Sequence, residues 1–299
     1  MGVREELSGI VRSFLGDDDD VEVSGMQRVS GGDINDAYVL ALKNGRRLFL
    51  KGNTKKNIRF FQTEETGLSA IRQTQTIRVP EVLGSGIAGD RSFFLMEYLE
   101  AGRPGADYWE RFAHDLAAMH RADPSKWTPY GKYGFVEDNF IGAGEQVNTI
   151  HTGWVSFFRD CRLQVQFTRA QHCFEPSGRK QMQSLLDHLE EYLAEPEYPS
   201  LLHGDLWGGN YVTGPDGYAW LIDPAVYVGH AEADLAMTEL FGGFAPAFYD
   251  SYREAGDLLP GYADRRDLYN LYHLLNHLNL FGSSYYGSVM RILRRYARI

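Results

Sequence analysis

Cysteine is scarce in this 299-residue sequence, with only Cys161 and Cys173, and their spacing fits neither a CxxC redox pair nor the paired ligands of a structural zinc. A disulfide-stapled scaffold is thereby excluded, and two idle thiols in a reducing compartment are expected. No apolar run approaches the about 20 residues that span a bilayer. The opening Met1-Gly2-Val3-Arg4-Glu5-Glu6 carries charge where a signal peptide needs an apolar core. A cytoplasmic protein with no membrane partner is the expectation. Basic residues are also in deficit: 30 Lys and Arg stand against 40 Asp and Glu, a formal net charge of -10. The positive stripe that nucleic acid requires is missing. Repeats and low-complexity tracts are absent beyond Asp17-Asp18-Asp19-Asp20, which reads as a solvated loop after a short opening helix.

What is present is an ordinary globular composition, 43% hydrophobic and 23% charged, with room for two lobes. Strand-like texture occupies Val21-Glu22-Val23, Ala37-Tyr38-Val39-Leu40-Ala41-Leu42 and Arg47-Leu48-Phe49-Leu50-Lys51, with Asn44-Gly45 signalling a tight hairpin between the last two. The period then changes: Phe60, Phe61, Glu64, Leu68 and Ile71 fall on one face of a helix over about 58–74. After Val79-Pro80 a strand returns at Ser92-Phe93-Phe94-Leu95-Met96-Glu97. Beyond Tyr98 the chain is mainly helical, over 109–122, 154–167, 178–193 and 265–281, broken by short apolar runs and Gly-rich loops between Leu202 and Asp223. The fold expected is α+β and bilobal, protein-kinase-like. An N-terminal antiparallel sheet with one main helix fills residues 1–97, and a larger, mainly helical lobe with the catalytic loop and acceptor site fills 98–299.

Phosphoryl transfer needs positioned phosphates, a bridging metal and a carboxylate that orients the attacking hydroxyl. In His203-Gly204-Asp205-Leu206-Trp207-Gly208-Gly209-Asn210 an Asp precedes an Asn by five positions, the pattern of a kinase catalytic loop, with Asp205 as base and Asn210 as metal ligand. Ile222-Asp223-Pro224 closes a short strand downstream, which makes Asp223 the main magnesium ligand. Alone, Asp205 could be an Asx turn; order and spacing of all three favour the kinase reading. Lys51 ends its strand where a phosphate-binding lysine sits, and Glu64 lies on the next helix, placed to pair with it. Gly31, Gly32 and Asp33 form a candidate phosphate loop, although a plain hairpin turn explains them as well. Met96, Glu97 and Tyr98 fall where a hinge backbone would bond adenine, and His203 and Asp234 are expected to brace the catalytic loop.

The stretch Leu202-His203-Gly204-Asp205-Leu206-Trp207-Gly208-Gly209-Asn210 resembles the signature of the fructosamine and ketosamine kinases. So do Phe61-Gln62-Thr63-Glu64, Asn139-Phe140-Ile141-Gly142 with Gln146 and Asn148, Leu240-Phe241-Gly242-Gly243-Phe244, and Tyr272-His273-Leu274-Leu275-Asn276-His277. The resemblance implies ATP and Mg2+ as cofactors and a small-molecule or protein-bound ketoamine as partner. The γ-phosphate would go to the third-carbon hydroxyl, after which the adduct falls apart and frees the amine. Some members of the family carry a cysteine in the phosphate loop where this chain has Asp33, so a disulfide switch is not expected here. Trp207, Gln146, Asn148, Trp154 and His273 are candidate acceptor contacts, with burial in the helical core as the competing reading. His273 and His277 stand one helical turn apart, a spacing that can chelate metal, but no third ligand is evident, and polar lining of the acceptor cleft or satisfied core histidines are expected. Alternatives are another acceptor on the same fold (an aminoglycoside, choline or a homoserine-like alcohol) and a non-catalytic nucleotide-binding pseudokinase. A monomer is expected.

Overall fold

The computed structural model describes residues 3–16, 19–29, 35–128, 132–242, 244–256 and 258–298. Helix α1 (Val3–Leu15) precedes β1 (Val23–Val29), β2 (Asp36–Leu42) and β3 (Arg47–Thr54). Helix α2 (Ile58–Thr74) follows, then β4 (Val82–Ala88) and β5 (Arg91–Glu97). The five strands are antiparallel in the order β1-β2-β3-β5-β4. Alternation along β5 explains how one sheet serves two cores. Phe93 and Leu95 join Leu7 and Val11 of α1, whereas Phe94 and Met96 point the other way, into the main core. There Phe94 stacks on Phe61 of α2, with ring centroids 5.9 Å apart. The β2–β3 turn is tight as expected, although only Gly45 takes a positive φ. Strand β4 was not legible as a strand, because Gly84 and Gly86 interrupt its apolar pattern. Both leave room for aromatic rings: a Cβ on Gly84 would lie 2.4 Å from Phe14, and one on Gly86 2.7 Å from Phe93.

The second part of the chain begins with α3 (Tyr108–Arg121) and a small hairpin, β6 (Asn139–Ile141) and β7 (Gly144–Gln146). Next come α4 (Trp154–Phe157), α5 (Gln164–Ala170) and α6 (Pro176–Asp187). Helices α4 and α5 are joined by a π-helical segment, Phe158–Leu163, whose wider turn carries the fully buried Arg162. Two short antiparallel pairs follow, β8 (Ser200–Leu202) with β11 (Tyr227–Gly229) and β9 (Tyr211–Thr213) with β10 (Ala219–Leu221). Helices α7 (Glu232–Leu240), α8 (Pro246–Ala255), α9 (Tyr262–Phe281) and α10 (Tyr286–Tyr296) complete the fold. The main core runs unbroken from Phe61 and Met96 of the sheet region to Leu275 of α9, so the two parts share one apolar interior. A bidentate ion pair between Arg265 of α9 and Glu232 of α7, at 2.6 and 2.8 Å, is buried within it. A sheet lobe followed by a helical lobe is the order expected for a protein-kinase-like α+β fold. No helix among the described residues is long and apolar enough to cross a membrane.

Candidate active site

A cavity of about 510 Å³ opens between the sheet and the helical part, within the range of small-molecule sites. The sheet side contributes Val29, Ala37, Phe49 and Met96, followed by Glu97, Tyr98 and Leu99. The helical side contributes Phe140, Ile141, Trp207, His277, Leu280 and Phe281, and among these walls stand Lys51, Glu64, Asp205, Asn210 and Asp223.

The catalytic-loop sequence folds as it does because of a close approach. Strand β8 is buried at every residue. The chain then turns at Gly204, where φ is 82° and a Cβ would lie 2.0 Å from the carbonyl oxygen of Ala225, so only glycine fits. Leu206 anchors the loop in the core with no exposure, leaving Asp205 at the cavity. Asn210 holds it there, donating from Nδ2 to the Asp205 carbonyl (2.7 Å) and to Oδ2 (3.0 Å). Beneath the loop the buried Asp234 accepts from the backbone N–H groups of His203 (2.7 Å) and Gly204 (2.9 Å). It also meets Nε2 of His120 at 3.2 Å, and Nδ1 of His120 in turn meets the Tyr252 hydroxyl at 2.6 Å. His203 donates from Nε2 to the Ile222 carbonyl (2.9 Å) and accepts the Asp205 N–H at Nδ1 (3.3 Å), a pattern that requires the neutral ring.

The charges follow from these contacts. Burial pushes the Asp205 carboxyl up to about 7, with Asp223 and Asp234 adding to the rise against the Asn210 hydrogen bond. Burial would also raise Asp234, but the His120 contact and the loop N–H groups hold it below the usual carboxylate range. Burial depresses His203, in keeping with its neutral ring.

Lys51 sits between two carboxylates, 2.6 Å from Glu64 Oε1 and in direct contact with Asp223 Oδ1. One ammonium cannot fully offset both in a buried site. Burial pushes Glu64 up to about 7, and neighbouring Asp223 adds to this. Asp223 also feels burial, but its Lys51 contact prevails and keeps it low. Lys51 itself is raised despite burial, because both acids favour its charge. Asp223 keeps 47% of its side chain exposed, open to the cavity, on a backbone with φ of 52°. This left-handed conformation is one that Asp tolerates better than most side chains.

Asp223 and Asn210 offer oxygen donors, which suit a hard cation such as magnesium. Among the described residues no cluster of three His, Cys, Asp or Glu could cage a metal.

Four sequence candidates are not brought to this cavity. Gln146 is buried against Asn139, the Ala225 carbonyl and the Tyr272 hydroxyl, and Asn148 against Asn139, Glu137 and Arg162. Trp154 is fully buried among Phe157, Phe158, Tyr133 and Tyr269. His273 is 3% exposed on the inner face of α9, and burial depresses it to about 3. Core packing claims all four, which corrects the acceptor expectation. Gly31, Gly32 and Asp33 lie outside the described residues. Wall residues to which sequence reasoning gave no role include Phe140, Ile141, Leu280 and Phe281, and His277, expected to line the cleft or pack in the core, also stands on the cavity. The available signal was the i, i+4 spacing of His277 and Phe281, one turn along the cavity side of α9. There the His277 ring packs against Phe241, Phe281 and Tyr285 at 4.8, 5.4 and 5.0 Å.

A sheet lobe over a helical lobe, with a lysine–glutamate pair facing an Asp, Asn and Asp across the cleft, defines a protein-kinase-like phosphotransferase. The closer assignment comes from sequence. The chain belongs to the fructosamine kinase family, whose model matches residues 12–298. It is 40% identical over 272 residues to a probable ketoamine kinase of Synechocystis, covering 91% of this chain and 90% of that protein. It is 38% identical over 285 residues to a chloroplastic protein-ribulosamine 3-kinase of rice, covering 93% and 80%. The crystal structure of a Thermobifida fusca protein, provisionally named a fructosamine-3-kinase, superposes with a TM-score of 0.83 at 30% identity, covering 98% of both chains. An aminoglycoside phosphotransferase solved with ADP and hygromycin B shares the fold alone, with a TM-score of 0.68 at 16% identity over the full length of both.

Proposed function

We propose that this protein transfers the γ-phosphate of MgATP to the third-carbon hydroxyl of a ketoamine, a ribulosamine or fructosamine adduct of an amine or protein. The observation that carries the reading is the meeting of Lys51, Asp205, Asn210 and Asp223 on one cavity, since each supplies a separate requirement of phosphoryl transfer. Lys51, fixed by Glu64, holds phosphate oxygens. Asp223 and Asn210 hold magnesium, which when bound neutralises charge building on the transferred group. Asp205, with a carboxyl near neutrality, orients the acceptor hydroxyl and takes its proton. Adenine would lie along Val29, Ala37 and Phe49, with the hinge backbone at Met96, Glu97 and Tyr98. The sugar would face Trp207, Phe140, His277 and Phe281. Trp207 keeps 38% of its surface exposed and presents an aromatic face, suited to stacking on a sugar ring. We place the reaction in the cytoplasm, although the rice relative is named chloroplastic.

The test is mass spectrometry of ribulose-lysine and fructose-lysine incubated with enzyme and MgATP, with an aminoglycoside in parallel. A gain of one phosphate on either ketoamine is the expected result. Phosphate appearing on the aminoglycoside alone, or on no acceptor, would overturn the reading.

A further inference from the structure

Gln146 and Asn148 do not line the cavity, yet they belong to a hydrogen-bonded network that ends on the backbone just beyond Asp223. Its head is Arg162, fully buried, with no carboxylate among its described partners. Its guanidinium lies over the rings of Tyr227 (3.9 Å), Phe157 (4.6 Å) and Tyr272 (5.4 Å), so aromatic faces stand in for a counter-ion. Arginine only donates, and this fixes the direction of everything downstream. Arg162 Nη2 donates to Asn148 Oδ1 (2.8 Å), Asn148 Nδ2 to Asn139 Oδ1 (2.9 Å), and Asn139 Nδ2 to the Val226 carbonyl (2.7 Å). Gln146 Nε2 joins the same acceptor, Asn139 Oδ1 (2.8 Å), and spans to the Ala225 carbonyl (2.9 Å), while Gln146 Oε1 accepts from Tyr272 (2.7 Å). No amide in the chain can flip without setting donor against donor or acceptor against acceptor.

We infer that Gln146 and Asn139, polarised by Arg162, are positioning residues for the metal-binding Asp223. This inference rests on the proposed role of Asp223. The segment is anchored on its other side as well, by Ile222 N–H to Asn210 O (3.0 Å) and Ala225 N–H to His203 O (2.8 Å). Asp223 is thus held from both flanks in a left-handed conformation (φ 52°) that a free chain would leave. The same clasp reaches α2. Phe140, next to Asn139, packs edge-on against Phe60 at 4.3 Å. Gly67 lets α2 come so near that a Cβ there would lie 3.1 Å from Val226 and 3.4 Å from Pro224. The β6–β7 hairpin therefore ties the helix bearing Glu64 to the loop bearing Asp223.

The experiment measures ADP affinity by titration calorimetry with and without magnesium on the full chain. Wild type is compared with Gln146→Met, which keeps length and removes the Gln146 bonds to the Ala225 carbonyl and Asn139, and with Tyr272→Phe, which removes only the bond to Gln146 Oε1. In Gln146→Met the gain in ADP affinity due to magnesium should fall about tenfold, the size usual for loss of an outer-shell partner. Magnesium-free ADP affinity and the ketoamine KM should stay within about twofold of wild type. Tyr272→Phe should move the same quantity in the same direction by about two- to threefold, and it decides the matter if Gln146→Met does not fold. An undiminished magnesium gain in the folded variants overturns the inference, as does a rise in ketoamine KM alone. Wild-type ADP affinity that ignores magnesium would instead overturn the metal role of Asp223, a result distinguishable because it precedes any substitution.

Discussion

Asp205→Asn separates catalysis from stability in opposite directions. The replacement keeps the shape of the side chain, and an Asn carbonyl oxygen can still accept the 3.0 Å bond from Asn210, so nucleotide affinity should be retained. What is lost is the group that receives the hydroxyl proton. General-base loss costs about 10²–10⁴-fold in kcat, or roughly 3–5 kcal/mol of barrier. Wild-type kcat/KM should climb about tenfold per pH unit up to pH about 7, where Asp205 loses its proton, and then level. The residual activity of Asp205→Asn should lack that limb.

Stability should move the other way. The folded-state value of about 7 lies above the usual 3.8, so the folded protein holds this proton more tightly than the unfolded chain does. Below pH 3.8 the group costs nothing. Between pH 4 and 7 the unfolded chain releases the proton while the folded one keeps it, and stability falls, levelling above pH 7 at a penalty of about 4 kcal/mol as an upper bound. Asp205→Asn should therefore melt at a higher temperature than wild type at pH 8, and that advantage should shrink toward pH 4. Melting curves from pH 4 to 8 and steady-state kinetics over the stable range check both halves. A variant that keeps more than a tenth of wild-type kcat, or that is no more stable at pH 8 than at pH 4 relative to wild type, refutes the reasoning.

Lys51→Met leaves Glu64 and Asp223 facing each other without the cation, and kcat/KM for MgATP should drop by at least about 100-fold, read from initial rates. Arg265→Met leaves the buried Glu232 without its bidentate arginine partner, so chemical denaturation should show a loss of about 3–5 kcal/mol with site kinetics unchanged. Phe281→Ala, at a cavity-wall position 55% exposed, should raise the ketoamine KM by about three- to tenfold while leaving the KM for MgATP alone. An effect on the nucleotide instead would place the sugar on another wall.

Local sequence was enough for the parts whose chemistry is written in short range. Strands β2, β3 and β5 announced themselves by period, α2 by its apolar face, and the 203–210 loop by the spacing of an Asp and an Asn that one tight turn brings together. Asp234, Lys51 and Glu64 could be named as candidates from the order of strand and helices around them, although β3 runs on past Lys51 to Thr54. The acceptor wall was not legible in the same way. Gln146, Asn148, Trp154 and His273 have the polar and aromatic character of a binding surface, and nothing local distinguishes a side chain facing substrate from one facing a buried arginine.

That distinction depends on which way each element turns. The π-helical segment swings Arg162 inward, so Asn148 accepts from that cation while Gln146 at the end of β7 donates to the segment after Asp223 rather than to the cavity. The rotation of α9 likewise buries His273 and leaves His277 and Phe281 on the cavity wall. Sequence determined which groups were candidates for the chemistry, because their spacing is a covalent fact. Only tertiary packing decided the walls, because burial is settled jointly by residues far apart in the chain.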